Sequence, residues 1–563
     1  MIRVWAPGVE SVEAVLGDGG ERVPLKGPDE RGWWEAAVEV ARGQRYGFSV
    51  DGGEVRPDPR SPSQPDGVHG LSAAVDQMAF PWTDGGWVAP PLSEALIYEL
   101  HVGTFSEAGT FAGAAARLDH LVDLGVTHVE LMPVAEFPGR WGWGYDGVDL
   151  YAPHHAYGGP DGLKALVDAC HARGLAVLLD VVYNHLGPAG NYLGTYGPYF
   201  TDRYATPWGS AVNLDGPDCD EVRAFFVDNS RMWLEDYHVD GVRLDAVHAI
   251  LDTSAVHLLE ELAHDAPGVL IAESDLNDPG VVRRPEEGGY GLDAQWSDDL
   301  HHALHAVLTG ERTGYYADFG SMAQLAKALR QAFVFDGTYS ASRRRRHGRS
   351  PAGVPPTRFL AYAQTHDQVG NRAEGERLSH LVGEARLRMA AALVLCSPFV
   401  PMLFQGEEWG ASTPFQYFTD HEDRELGKAV SEGRRREFAA FGWDPEDVPD
   451  PQDRATFERS RLRWAEVDTE PHAGLLDWHR RLIALRKERR LWESGVDVHY
   501  DDEARWLVLG RGEVVVAVNV GEGAAEVPLG DSAPHRMALA WGEVEVGGAS
   551  VRLGPDNVVV LAR

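Results

Sequence analysis

Eight apolar, strand-like runs alternate with amphipathic helical runs through most of this chain, from about Ala95 onward. In order, the strand-like runs read ALIYELHV, VTHVELMPV, LAVLLDVVYNH, VDGVRLDAV, VLIAESD, GLDAQW, RFLAYAQTH and SPFVPMLFQGEE. The last helical run reads LLDWHRRLIALRKER. Strands that alternate with helices form a parallel sheet, and eight such units close into a barrel. The pattern therefore predicts a (β/α)8 barrel over residues 89–493.

The helical runs between the strands carry start and stop signals. The candidates are TFAGAAARLDHLVDLG, DGLKALVDACHARG, DEVRAFFVDNSRMWLEDY, SDDLHHALHAVLTG and EARLRMAAALVLC. Ser297 and Ser321 stand where N-caps are expected, and Gly174 and Gly310 stand where helices are expected to end.

The two ends of the chain have a different sequence pattern, in which short β-like runs are separated by Gly, Asp and Pro. Residues 2–5, 12–16, 33–40 and 46–50 form such runs near the start. WLVLGRG, VVVAVNV, VEVGGASVRLG and NVVVLAR follow near the end. Such spacing is typical of β-sandwiches. We therefore predict a multidomain α/β protein in which the TIM barrel (89–493) is flanked by an N-terminal β-sandwich (1–88) and a C-terminal β-sandwich domain (494–563).

The charge of the chain argues against several classes of partner. Asp and Glu number 86 against 51 Lys and Arg, a net charge of −35. Because such a surface repels phosphates and anionic lipid, we expect no nucleic-acid and no membrane binding. Three scattered cysteines, and a start (MIRVWAPGVE) without a secretory signal, predict a cytoplasmic protein without a disulfide framework. The cysteines are Cys170, Cys219 and Cys396.

Three local patterns mimic binding sites but lack the context that such sites need. Gly142, Gly144 and Gly147 spell Gly-x-Gly-x-x-Gly, but VDLYAPHHAYGGP follows where a dinucleotide site requires a helix. Residues 301–305 read HHALH without the glutamate of a zinc motif, so these histidines are interpreted as surface or substrate-facing. The basic run 343–349 is interpreted as a solvated loop. We expect no cofactor and no metal ion.

Charged side chains appear where four of the strands end, at the edge on which barrel enzymes build their active sites. Side chains alternate along a strand, so Arg243 and Asp245 point into the barrel, and their apolar neighbours pack against helices. The residues at these strand ends are Asp180, Asn184, His185, Arg243, Asp245, His248, Glu273, Asp275, His366, Asp367 and Asn371.

Carboxylates grouped in this way suit glycoside hydrolysis. A carboxylate beside an arginine stays ionised, as a nucleophile must, so Asp245 next to Arg243 is a candidate. A structural ion pair is the alternative for these two residues alone. The reaction needs one attacking carboxylate and a second, protonated one that releases the leaving oxygen. Asp367 could hold the sugar hydroxyls. Aromatic faces for sugar stacking are offered by Trp141, Trp143 and Tyr145.

The segments DVVYNH, GVRLDAVH, IAESD and QTHD, in this order, resemble the four conserved regions of the α-amylase superfamily. The resemblance implies that Asp245 is the nucleophile, Glu273 the general acid/base and Asp367 the transition-state stabiliser. It further implies that the sugar subsite at the cleavage point is lined by Arg243, His185, His366 and Tyr145. The segment after the third strand is short, so the lobe that holds calcium in many members is expected to be absent.

Within that superfamily, nearly the whole chain resembles the maltooligosyltrehalose trehalohydrolase family, including the N-terminal sandwich of carbohydrate-binding type. The segments YELHVGTFSEAGTF, GRWGWGYDGVDLYAPHHAYGGP, LIAESDLNDP, GYGLDAQWSDDLHH and FQGEEWGASTPFQYFTDH carry the likeness. It implies action on maltooligosyltrehalose and related α-1,4-glucans, release of trehalose, and pairing with a maltooligosyltrehalose synthase. The implied substrate contacts are Trp143, Tyr145, His185, Arg243, Leu244, Ala246, Val247, His248, Asp298, Asp299, Leu300, His301, His302, His366, Gln368, Val369, Gly370, Asn371, Glu408 and Trp409.

Two other interpretations stay open. A glycogen-branching or general α-glucan-acting enzyme has the same carboxylates, and a branching enzyme differs only in using a sugar hydroxyl as acceptor in place of water. An inactive barrel could serve as a glucan-binding or scaffold protein. Such a protein would usually have lost a carboxylate, and all three are present.

Overall fold

Eight parallel strands form a closed barrel at the centre of the protein. The computed structural model describes residues 1–17, 19–206, 209–439, 444, 446–530 and 536–563. The barrel closes where Met402 of the eighth strand pairs with Ile97 of the first. In chain order the barrel strands are Ile97–Leu100, His128–Leu131, Ala176–Val181, Gly241–Leu244, Val269–Ala272, Ala294–Trp296, Phe359–Ala361 and Val400–Phe404. The predicted barrel and all eight of its strands are confirmed.

The alternation of side chains along these strands separates a polar interior from an apolar exterior. Val242 and Leu244 belong to the main hydrophobic core that the helices cover, whereas Arg243 between them is fully buried on the inner side. Apolar side chains such as Ile97, Leu178 and Ile271 form a separate cluster. Further along the first and third strands, at the same parity as Ile97 and Leu178, stand charged residues. The fold thus directs these charges toward one end of the barrel.

Helices surround the barrel and follow the predicted runs with some differences. The longer ones are Phe111–Ala115, Leu118–Leu124, Gly159–His171, Cys219–Glu235, Leu258–Asp265, Asp298–Thr309, Met322–Gln331, Glu384–Leu395, Arg424–Ala439, Arg454–Arg459 and His472–Glu488. The first predicted helix is two helices, because Arg117 leaves the helical conformation at φ −111° and ψ 1°. The helix Arg424–Ala439 had no counterpart among the predicted runs.

The four predicted cap residues behave in different ways. Ser321 forms a capping box with Gln324, and Gly310 ends its helix at φ +83°, as predicted. Ser297 precedes its helix, but its hydroxyl donates to the carbonyl oxygen of Ala332 at 2.9 Å and caps nothing. Gly174 lies three residues beyond the last helical residue, His171.

Antiparallel sheets flank the barrel at both ends of the chain. The N-terminal strands are Ile2–Trp5, Val12–Leu16, Glu21–Pro24, Trp33–Ala36, Arg45–Val50, Val55–Arg56 and Ser72–Ala73, arranged in two sheets. The C-terminal strands are Asp497–Asp501, Trp506–Arg511, Val514–Asn519, Ala525–Pro528, Arg536–Trp541, Val544–Val546, Ser550–Leu553 and Asn557–Ala562, also in two sheets. The run VEVGGASVRLG, predicted as one strand, is a hairpin of two.

Among the described residues, each helix is too short or too polar to span a membrane.

The cysteines Cys170, Cys219 and Cys396 are all free thiols.

Candidate active site

A groove of about 1160 Å³ opens at the carboxyl ends of the barrel strands. Asp245, Glu273 and Asp367 all line it, so the structure brings together the three carboxylates that the sequence singled out. They come from the ends of the fourth, fifth and seventh strands, which are distant in sequence and converge because the barrel is closed.

Asp245 is held by donors on both of its oxygens. Its Oδ1 accepts a hydrogen bond from Arg243 at 2.7 Å, and its Oδ2 accepts one from the side-chain amide of Asn184 at 2.7 Å. Burial raises the pKa of Asp245, but the charge of Arg243 and the Asn184 hydrogen bond outweigh it and lower the pKa. The carboxylate is therefore ionised, oriented and able to attack.

The pKa of Glu273 is shifted in the opposite direction to that of Asp245. Its Oε2 accepts a hydrogen bond from the backbone N–H of Ala246 at 2.7 Å and lies 3.9 Å from Arg243. Burial, together with the negative charge of Asp245, raises the pKa of Glu273 well above its usual range, although Arg243 opposes this. One carboxyl of the pair is thus charged and the other protonated, which is the arrangement that acid-assisted nucleophilic attack requires.

Asp367 lies in the first turn of the short helix His366–Gly370, on another side of the groove. Its side chain is 41% exposed, and its Oδ1 accepts a hydrogen bond from the Asn371 amide at 3.2 Å. Thr365 receives the backbone N–H of Asp367 and caps the helix. These contacts fix the backbone and leave carboxylate oxygen available for sugar hydroxyls.

Tyr145 forms the wall of the groove next to the carboxylates. Its ring stacks on His366 with 5.2 Å between the ring centroids, and its backbone carbonyl lies 3.0 Å from Nε2 of His185. Gly144 before it has φ +96°, and a Cβ there would lie 2.3 Å from the carbonyl oxygen of Pro133. Only glycine fits that turn, so it places Tyr145. As expected, no helix follows these glycines; the strand Asp149–Pro153 does.

Nine of the twenty substrate contacts implied by the resemblance line the groove. They are Trp143, Tyr145, His185, Ala246, His248, Asp298, His302, Gln368 and Asn371. Arg243 and His366 lie directly behind the groove, each fully buried and bonded to a side chain that lines it.

The other nine lie away from the groove. Leu244, Leu300, Val247 and Val369 are buried in apolar clusters, because neighbouring residues of a strand or helix face different ways. A Cβ on Gly370 would lie 2.0 Å from the Trp143 ring, so Gly370 serves the close packing of that ring. The remaining four are the polar or aromatic residues Asp299, His301, Glu408 and Trp409.

These four side chains are engaged elsewhere in the structure. Asp299 accepts hydrogen bonds from the backbone N–H groups of Val334 and Phe335 at 2.7 and 2.8 Å. His301, interpreted above as surface or substrate-facing, is buried, and its Nδ1 bonds the carbonyl oxygen of Ala363 at 2.7 Å.

The segment after the eighth strand also points away from the groove. Glu408 accepts a hydrogen bond from Tyr98 at 3.1 Å and lies 2.8 Å from His120, and the indole of Trp409 donates to Glu466 at 3.3 Å. Trp141, which we expected to offer a face for sugar stacking, stacks on Phe457 and does not line the groove.

Comparisons with known proteins bear on this site. The family described as the catalytic domain of alpha amylase matches residues 78–196, and a domain of unknown function (DUF3459) matches residues 491–560. A malto-oligosyltrehalose trehalohydrolase from Arthrobacter ramosus is 52% identical over 571 residues, which cover 99% of this chain and 98% of that protein. The chain belongs to the malto-oligosyltrehalose trehalohydrolase family. The resemblance seen in the sequence is confirmed.

Two further relatives set this membership in context. A crystal structure titled as a putative alpha amylase from Salmonella typhimurium is 38% identical with a TM-score of 0.91, covering 100% of this chain and 97% of that one. A 1,4-alpha-glucan branching enzyme from Corynebacterium jeikeium is 29% identical and covers 77% of this chain and 63% of its own. The likeness to the branching enzyme is thus lower and partial, whereas the trehalohydrolase match is end to end.

In this trehalohydrolase family member a second wall of the groove consists of residues that the sequence patterns did not predict to be part of the site. It is built by residues 311–316, by 372–376 and by the helix Arg424–Ala439, and it carries Glu311, Thr313, Tyr315, Tyr316, Arg372, Glu376, Val430, Arg434, Glu437 and Phe438. Arg343, from the basic run interpreted as a solvated loop, lines the groove as well. A basic run in so acidic a chain was the one signal that could have pointed to it.

One group of side chains among the described residues is close enough to share a metal ion, although the sequence suggested no ligand cluster. It consists of Glu136, His154 and His155. Oε2 of Glu136 accepts the backbone N–H of His155 at 2.7 Å, and Oε1 lies 2.6 Å from the ring of the same histidine. These hydrogen bonds account for the pairing of Glu136 with His155, and none of the three residues lines the groove.

Proposed function

We propose that this chain hydrolyses the α-1,4-glucosidic bond next to the terminal trehalose unit of maltooligosyltrehalose, releasing trehalose with retention of configuration. The observation that carries the chemistry is the pair Asp245 and Glu273, two carboxyl groups on one guanidinium with pKa values moved in opposite directions. The substrate follows from membership in the trehalohydrolase family.

In the first step Asp245 attacks the anomeric carbon of the sugar at the cleavage point. The bond between that carbon and the glycosidic oxygen breaks, and Glu273 gives its proton to the departing oxygen of trehalose. The sugar is left as a covalent ester on Asp245 while positive charge develops and decays at the ring. Asp367 supplies negative charge and hydrogen-bond acceptors on the same side of the groove.

In the second step the ionised Glu273 takes a proton from water, and the water oxygen attacks the anomeric carbon. The ester bond breaks, and Asp245 leaves as a carboxylate that Arg243 and Asn184 stabilise. Two inversions at one carbon give net retention. A sugar hydroxyl in place of water would make the same ester into a transferase product, so the acceptor decides between hydrolysis and branching.

We also propose that the chain acts in the cytosol and uses the product of a maltooligosyltrehalose synthase. Three free thiols and no disulfide among the described residues are compatible with a reducing compartment. A trehalose-ended glucan has to be made from an ordinary maltooligosaccharide by converting its reducing-end linkage, and the synthase performs that class of reaction.

Product analysis with maltotriosyl-trehalose tests the proposed function. We expect free trehalose and maltotriose in equal amounts, measured by chromatography, with no new α-1,6 linkages in the proton NMR spectrum. Formation of α-1,6 branches would instead support a branching enzyme. No turnover of this substrate, of maltopentaose or of soluble starch by the folded protein would support an inactive glucan-binding barrel.

A further inference from the structure

A row of buried ionisable side chains lies under the reacting carboxylates, on the first four strands of the barrel. The row consists of Glu99, Glu130, Asp180 and Arg243, each no more than 3% exposed. Neighbouring strands set them side by side, because Glu99 pairs with Glu130 and Asp180 pairs with Arg243 in the sheet register. The roles proposed above do not use Glu99 or Glu130.

Glu99 makes two contacts with His366. Its Oε2 accepts the backbone N–H of His366 at 3.0 Å, and its Oε1 is in close hydrogen-bond contact with the ring Nδ1. Both groups are 1% exposed, so no water competes for this pair. Because an ionised Glu99 can only accept, the ring nitrogen that faces its Oε1 carries a proton.

The other ring nitrogen of His366 carries a proton as well when Asp180 is ionised. Nε2 lies 2.7 Å from the hydroxyl of Tyr145, and that hydroxyl donates its only proton to Asp180 at 2.6 Å. Burial raises the pKa of Asp180 to about 7, and while Asp180 is ionised the Tyr145 oxygen can only accept from Nε2. With both nitrogens protonated, His366 is an imidazolium ion.

From Asp180 the chain of hydrogen bonds continues to the nucleophile. Oδ1 of Asp180 accepts from Arg243 at 2.9 Å, and the same Arg243 nitrogen donates to Asp245 at 2.7 Å. An unbroken series of contacts therefore runs from Glu99 through His366, Tyr145, Asp180 and Arg243 to Asp245. Each group between Glu99 and Asp245 is held by hydrogen bonds to the groups on both sides of it.

We propose that Glu99 is a positioning residue for the reaction: it holds His366 as an imidazolium, and through it fixes Tyr145 and the buried charges that orient Asp245. Its importance for turnover rests on the proposed function, whereas its hold on His366 is a property of the free protein. Glu99 lines no part of the groove and touches no substrate. It acts through His366, whose charge lies next to Asp367 with 3.5 Å between Nε2 and Oδ1.

The electrostatics around His366 agree with this role. Burial lowers the pKa of His366, but the negative charges of Asp367 and Glu99 outweigh it and raise the pKa to about 9, while Arg243 opposes them. The titratable and charged groups that face His366 are Glu99, Glu130, Asp180, Arg243, Asp367, Tyr145 and His101. Without the charge of Glu99, burial and Arg243 pull the pKa down, so the ring loses its proton at a lower pH.

Glu130 provides a matched control on the neighbouring strand. It is as buried as Glu99, and neither of its carboxylate oxygens has a hydrogen-bond partner. Burial and the nearby Glu99 raise the pKa of Glu130 well above its usual range, so it is uncharged at neutral pH. Replacing it with glutamine therefore changes neither charge nor size and leaves His366 as it is.

The test compares Glu99→Gln, Glu99→Asp and Glu130→Gln with the unmodified protein. The first readout is the titration of His366 in the free protein, followed by NMR of 13Cε1-labelled histidine and assigned with a His366→Asn variant. We expect the midpoint to fall by about 1 to 3 pH units in Glu99→Gln, less in Glu99→Asp, whose shorter carboxylate keeps the charge, and to stay unchanged in Glu130→Gln.

The second readout is kcat and KM for maltotriosyl-trehalose against pH. In Glu99→Gln we expect kcat to fall about 10- to 100-fold near pH 7 with a smaller change in KM, and the alkaline limb of the profile to move to lower pH with the His366 midpoint. An unchanged His366 midpoint in both Glu99 variants, or an equal movement in Glu130→Gln, would overturn the proposal. The titration needs no substrate, so it stands even if the protein releases no trehalose.

Discussion

The substitution Asp245→Asn is expected to lower kcat by about four powers of ten or more while the protein remains folded. The amide cannot form the covalent ester, so the first step loses its nucleophile. The fold is expected to survive, because the new side chain has the same size and its oxygen can still accept from Arg243. The amide nitrogen would face the Asn184 amide, which costs one hydrogen bond at the rim of the barrel.

The measurement combines initial rates on maltotriosyl-trehalose with thermal unfolding and circular dichroism. Asp123→Asn is the matched control, since Asp123 is exposed on the helix Leu118–Leu124 and far in sequence from any groove residue. It should behave as the unmodified enzyme. Adding azide to an Asp245→Gly variant, in which the side chain no longer fills that position, should give a β-glycosyl azide, because the small anion enters from the face that the carboxylate occupied. Activity within tenfold of the unmodified enzyme would reject Asp245 as nucleophile.

The preference for a trehalose-ended chain is the second large effect that we expect. Trehalose joins two glucose rings through both anomeric carbons, so it is bent and has no reducing end. The groove extends beyond the carboxylates to a wall rich in hydrogen-bonding groups, among them Glu311, Arg343, Arg372 and Arg434. Side chains arranged to hydrogen-bond the bent trehalose unit lose hydrogen-bond partners when a maltose unit takes its place. Each buried polar group left unpaired lowers the binding free energy by about 1–3 kcal/mol.

Two such losses correspond to a preference of roughly 30-fold to 10,000-fold in kcat/KM. The measurement compares maltotriosyl-trehalose with maltopentaose, which have the same number of rings, under identical conditions. Because the two substrates share their non-reducing glucose units, any difference reports on the part of the groove that holds the leaving group. Equal kcat/KM values would leave a general α-glucanase in place of a trehalohydrolase.

The sequence predicted the barrel well because two periodicities reinforced each other. Strand-helix alternation gave the eight strands, and the period of two along the fourth strand placed Arg243 and Asp245 inward, as the structure has them. The same period of two places Leu244 on the opposite side of the strand, in the apolar core. Only every second or third residue of a strand or helix can face a groove, which is why runs such as residues 298–302 and 366–371 divide between the groove and the core.

The groove wall formed by residues 311–316, residues 372–376 and the helix Arg424–Ala439 could not be predicted from the sequence. Arg343 and the helix Arg424–Ala439 reach the groove only through tertiary packing. The basic run that contains Arg343 is unusual in so acidic a chain but does not show where it lies, and nothing in the local pattern of the helix marks it. Glu408 and Trp409 looked like groove residues because they follow a barrel strand, but the chain turns back there and they bond Tyr98 and Glu466. Glu99 was visible as an acid inside the apolar run ALIYELHV, yet only the structure shows that its partner is His366.

The stereochemistry of the first product tests the central claim most directly. If Asp245 attacks and Glu273 protonates, the two carboxyl groups act about 5–5.5 Å apart and the anomeric configuration is retained. Proton NMR recorded in the first minutes with maltotriosyl-trehalose follows the anomeric signals before mutarotation. We predict α-maltotriose together with free trehalose. Maltotriose that appears first as the β-anomer would contradict the double displacement, and with it the roles of Asp245 and Glu273.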